Sequence, residues 1–166
     1  MAYQKKSQRG ASMVEFAIVV WVFLLLVLGI VEFAFAIFQW SRVVDATRAG
    51  VRTAIVSDMA CGGDALKDIC TSGEVVSCTG ADLEGSPILT SMNKLLLGIN
   101  ADQVTVTYRC STAGFSKRFL PIPEVTVETH WQHTFFFPGL LFGRDSWTVD
   151  LPPFAATRLG EDLSTD

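Results

Sequence analysis

The sequence predicts an α+β protein in which one long N-terminal helix, membrane-spanning at first and amphipathic later, packs on a small antiparallel β-sheet. Three observations predict it. No charged side chain lies between Phe16 and Val31, and after Glu32 the apolar run resumes from Phe33 to Phe38. An apolar stripe of helical period continues past Trp40, and the C-terminal half carries short runs that alternate with period two. With 166 residues, 49 % hydrophobic and 18 % charged, the chain suits one domain, and its apolar share argues against disorder. A net charge of −4, with no basic block beyond the first ten residues, argues against electrostatic binding of nucleic acid.

A helix of about 20 residues crosses ~30 Å of hydrocarbon, so the first apolar segment is long enough to span. Lys5, Lys6 and Arg9 precede it, and no acid stands before Glu15, which predicts a cytoplasmic N-terminus and an outward-facing remainder. Two plainer readings compete. A cleaved secretory signal peptide would use Ala34-Phe35-Ala36, but the apolar stretch exceeds an h-region of about 7–15 residues and Glu15 is out of place in one. A plain single-pass anchor is the other. Beyond the span, Val43, Val44, Ala46, Ala49, Gly50, Val51, Ala54 and Ile55 continue the stripe. Arg42, Asp45, Arg48 and Arg52 lie opposite and read as a solvated face, with contact to a partner subunit as the sharper alternative.

In the second half, Ser86 as N-cap, Pro87 in the first turn and Gly98 as the stop predict a helix over Pro87 to Leu97. Val104 to Tyr108 alternates as a half-buried strand. Val125 to Phe137 predicts a second strand with Val125, Val127, Trp131 and Phe135 on one face. Trp147 to Leu151 predicts a third, ended by Pro152-Pro153. Short connections suggest an antiparallel meander. The run from Phe135 to Phe142 is unusually apolar for a strand end. It reads as core packing or, alternatively, as an exposed patch that docks on a neighbour or touches the membrane surface.

Cys61, Cys70, Cys78 and Cys110 all fall on the side expected to be extracytoplasmic, and an even count there points to two disulfides. Three pairings are open. Cys61–Cys70 with Cys78–Cys110 is favoured, because the loop around Cys61 to Cys78 has little else to hold its shape. A zinc site is disfavoured, since no C-x-x-C spacing occurs. His130 and His133, with Glu128 nearby, invite a metal reading, but residues three apart on a strand point to opposite faces. No G-x-S-x-G, Walker loop or Rossmann fingerprint is present, so neither enzyme chemistry nor a cofactor or metal is expected.

The most informative stretch is Gln8-Arg9-Gly10-Ala11-Ser12-Met13-Val14-Glu15-Phe16. An unpaired carboxylate at that depth costs roughly 2.5 kcal/mol or more, so Glu15 needs a partner. Cleavage after Gly10 would supply one, since Ala11 would carry a free α-ammonium with Glu15 as its i+4 neighbour. The carboxylate would also lie in the first turn, where the helix dipole favours it. A neighbouring subunit's ammonium would serve equally.

This stretch resembles the prepilin-type signal proteins, the type IV pilins and pseudopilins, and more finely the TadE-like pseudopilins of bacterial tight-adherence (Tad/Flp, type IVc) pilus systems. Arg9-Gly10-Ala11, Val14 to Ala17, Leu28 to Phe33, Asp45 to Ala54 and, loosely, Phe154 to Arg158 carry the resemblance. It implies a pilin-like architecture with a cleaved leader over 1–10, a transmembrane and amphipathic helix over 11–56 and a periplasmic α+β domain over 57–166. It implies processing at Gly10-Ala11 by a prepilin peptidase, Gly10 being read rather than catalytic. It further implies residence in the bacterial inner membrane, in contact with lipid, and partnership with other pilins and with the inner-membrane assembly platform. Length favours a minor component. Glu15 and Glu32 are the assembly candidates. Glu32 lies about 26 Å further along the helix, near the outer hydrocarbon boundary, where it is expected to snorkel or pair with another helix. The rival reading is an uncleaved bitopic protein whose periplasmic domain binds a ligand or envelope partner.

Overall fold

The computed structural model describes residues 9–62, 69–70, 73–111, 116–117, 120–137 and 147–160. The chain divides into two compact units, Met1–Ile37 with Thr134–Thr148, and Phe38–His133 with Val149–Asp166. Helix α1 runs from Arg9 to Ala54 over 46 residues. No proline precedes Pro87, so nothing in the sequence removes a hydrogen bond from this helix, and Arg52 in its last turn suits the negative end of the dipole.

In the second unit Val43, Ala46, Gly50, Val51, Ala54 and Ile55 of the predicted stripe are buried, Val44 and Ala49 are half-buried, and Thr47, outside the apolar pattern, is buried with them. That face lies on a four-stranded sheet built from β1 (Val76–Thr79), β2 (Val104–Cys110), β5 (Pro123–Phe135) and β6 (Trp147–Leu159), in that order. Between β2 and β5 the chain makes a separate two-stranded ribbon, β3 (Ser116–Lys117) and β4 (Leu120–Pro121). β1 and β2 pair antiparallel, as do β2 and β5, with Val106 opposite both Cys78 and Val127. Thr126 bonds Thr157 at 2.9 Å while Gln132 bonds Asp150 at 2.7 Å, so β5 and β6 also run in opposite directions. The expected meander is therefore present, with the ribbon as an insertion. Alternation decides the faces: Val104, Val106, Tyr108, Val125 and Val127 are buried, and Thr105, Thr107 and Thr126 are not.

Helix α2, Pro87–Asn93, starts as predicted, with the Leu89 N–H donating to the Ser86 hydroxyl at 3.2 Å. It stops short of Leu97. The Met92 carbonyl accepts from both Leu95 and Leu96, a turn that carries Leu96 into the core before the chain reverses at Gly98, whose φ is 85°. α2 meets α1 at Gly50, where an added Cβ would lie 2.7 Å from the Met92 sulfur. Only a residue without a Cβ allows this approach without displacing Met92.

Three expectations need correction. β6 does not end at Pro152-Pro153 but continues to Leu159. It is an edge strand, paired on one side only, so the missing N–H groups cost the ladder little. β5 begins at Pro123 and ends at Phe135, two residues before the predicted end. The disulfides join Cys61 to Cys78 and Cys70 to Cys110, with Cα separations of 5.5 and 4.9 Å. The favoured pairing fails on register. Cys78 stands opposite Val106, four residues from Cys110 along β2. At ~3.3 Å per residue that is about 13 Å, twice what a disulfide spans.

Candidate functional site

Between Gly10 and Ala54 the structure has a helix long and apolar enough to cross a membrane. None of its residues from Gly10 to Val31 is buried, and Phe16, Trp21, Phe23 and Leu26 are each more than half accessible. A helix apolar all round, with no buried face, is built for lipid or for other helices. The chain thus has the form of a single-pass membrane protein.

Gly10 and Ala11 lie at the exposed start of α1. Because the helix begins at Arg9, Glu15 falls in its second turn in the uncut chain. Among the described residues Glu15 has no ion-pair or hydrogen-bond partner. Glu32 is different. Its Oε1 accepts hydrogen bonds from the backbone N–H groups of both Phe136 and Phe137, the latter at 3.1 Å. The expected choice between snorkelling and pairing with another helix omitted this solution: the carboxylate satisfies two main-chain donors released where β5 ends. Phe136 and Phe137 leave the strand there, and their rings meet edge to face with centroids 5.8 Å apart. Of the apolar run from Phe135 to Phe142, residues 138–142 lie outside the described part of the chain.

In the second unit two buried polar contacts fasten α1 to β5. Thr47 Oγ1 hydrogen-bonds Val43 O and Thr129 Oγ1, each at 2.8 Å. His133 Nδ1 lies 2.6 Å from Gln39 Oε1. His133 is buried and His130 exposed beside Glu128, so the two imidazoles diverge as strand alternation requires. Among the described residues no group of three or more His, Cys, Asp or Glu is placed to hold a metal ion. The arginine face of α1 is exposed but not idle. Arg42 donates to the Leu95 carbonyl at 3.1 Å, and its guanidinium lies 5.1 Å from the Phe38 ring centroid. Arg48 pairs loosely with Asp45 at 3.9 Å and lies 5.9 Å from the Phe154 ring centroid on β6.

A surface cleft between Val56–Ala60 and Asp82–Ile88 holds Asp58, Asp82 and Glu84 without a histidine or cysteine beside them. Burial raises the Tyr108 phenol above its ordinary pKa, a shift opposed by the hydrogen bond that the Ala60 N–H donates to it at 3.4 Å.

Residues 10–52 match the family model for TadE-like proteins. The matched segment is the apolar helix and its amphipathic extension, from Gly10 through Glu15 and Glu32 to Arg52. Comparison with curated proteins and with solved structures gave no significant match.

Proposed function

We propose that this chain, TadE-like over residues 10–52, is a minor pseudopilin that serves as a structural or assembly subunit of a Tad-type pilus. A prepilin peptidase trims it after Gly10. The new N-terminal ammonium of Ala11 and the carboxylate of Glu15 neutralise one another, within a subunit or between neighbours, and so help to set axial register as helices pack. The N-terminus faces the cytoplasm, the domain carrying the sheet faces the periplasm, and the inner-membrane platform and other pilins are its partners. One observation carries the reading: among the described residues Glu15 has no partner, and it stands near the head of an exposed apolar helix, inside the segment that matches the family model. A carboxylate at that depth needs a counter-charge, and trimming creates one.

The test is the N-terminal mass of membrane-extracted protein made alongside its cognate peptidase. A chain beginning at Ala11 is expected. An intact leader under those conditions leaves the uncleaved bitopic reading in its place.

A further inference from the structure

We propose that the end of β5 is a membrane foot: Phe136 inserts into the lipid interface at the C-terminal end of the spanning segment, and Glu32 holds it at that depth. This rests on the membrane-spanning reading of α1. The main chain of Phe136 is bonded to a carboxylate that projects from the apolar helix, so the level of Glu32 is the level of Phe136. The ring is nevertheless 71 % exposed. Phe136 follows the end of β5 in a helical turn, and at a bilayer surface an exposed ring of this kind is stabilised.

Depth agrees. From Phe16 to Glu32 the helix rises about 24 Å, close to the ~30 Å of the hydrocarbon layer, which puts Glu32 near the boundary where aromatic rings concentrate. Val31, Phe33 and Phe35 are also more than half exposed, so the helix beside the foot is itself lipid-facing surface. The two N–H bonds make the arrangement tolerable there. They satisfy the carboxylate and, together, the main-chain donors that the departing strand would otherwise bring unpaired to the hydrocarbon edge. Lipid is the occupant because the helix between Phe16 and Val31 carries no charged side chain and none of its residues is buried within the chain, so the surface beside Phe136 is apolar and open.

The experiment uses the full chain in nanodiscs of phosphatidylethanolamine and phosphatidylglycerol, with p-benzoylphenylalanine in place of Phe136 or, separately, of Ile30. Irradiation and mass analysis are expected to give lipid adducts at both positions. Glu32→Ala is expected to lower the adduct at 136 several-fold and to leave that at 30 unchanged, while Glu32→Gln, which keeps an acceptor oxygen, retains most of it. Lipid adducts at 30 with none at 136, or adducts at 136 joining two protein copies, overturn the foot while leaving the spanning helix intact. Failure at both positions removes the spanning reading and the foot with it. An adduct at 136 indifferent to Glu32→Ala overturns the role given to the carboxylate.

Discussion

A carboxylate near the head of an apolar helix and a phenol in the core of a sheet show how much one side chain decides. The assignment of Glu15 to charge pairing during assembly makes its removal selective. Glu15→Ala deletes a charge from an apolar helix, so insertion is expected to proceed normally while pilus assembly is lost. Membrane fractionation and a count of surface pili on the same cells read the two outcomes, and a variant that assembles normally contradicts the role. Tyr108 makes a pH prediction. Its folded pKa is raised by burial, so the native state holds the proton more tightly than the unfolded chain. The contribution is intact below the unfolded phenol value, about 10, and is lost as pH climbs through it towards the folded value. The melting temperature is expected to fall as pH rises above about 10, with a shallower fall for Tyr108→Phe.

Among the elements, the contact of α1 with β5 is the one on which the helix–sheet packing turns, and it contains a buried hydroxyl pair, Thr47 and Thr129. Thr47→Val leaves the Thr129 hydroxyl buried without its partner and is expected to cost about 1–3 kcal/mol. Thr47→Val with Thr129→Val removes both and is expected to recover most of that loss, so the double-mutant cycle returns a coupling energy well above error. Additive losses would mean that the pair does not interact. The same contact shows what a sequence displays. The stripe from Val43 to Ile55 is legible because burial on a helix repeats every three or four residues, and β2 and β5 are legible because burial on a strand repeats every two. β1 is four residues of Val-Ser-Cys-Thr, too short to establish a period. β6 runs through two prolines because it is an edge, and edge status belongs to the assembled sheet rather than to the strand. The partners of Glu32 lie more than a hundred residues away and are main-chain N–H groups, which leave no mark in a residue pattern.

For the molecule as a whole, the question is what holds β1, a strand of only four residues, in the sheet. The disulfides answer it by interleaving: Cys61–Cys78 closes a separation of 17 residues, Cys70–Cys110 one of 40, and each loop contains one cysteine of the other. On the chain-entropy account the shorter is worth about 3.1 kcal/mol and the longer about 3.9, though shared residues mean that the two do not add. Cys70–Cys110 also ties the segment before β1 to the far end of β2, beyond the register in which the two strands pair. Replacing Cys70 and Cys110 by Ala is therefore expected to lower thermal stability more than replacing Cys61 and Cys78. Reduction of both is expected to abolish the near-ultraviolet signal of the sheet-bearing unit while the helical signal of the apolar segment persists in detergent, because its backbone bonds are internal to the helix. Circular dichroism of the parent and the two variants, oxidised and reduced, reads this directly. Loss of helix and sheet in one transition would mean instead that the apolar segment depends on the crosslinked unit for its structure.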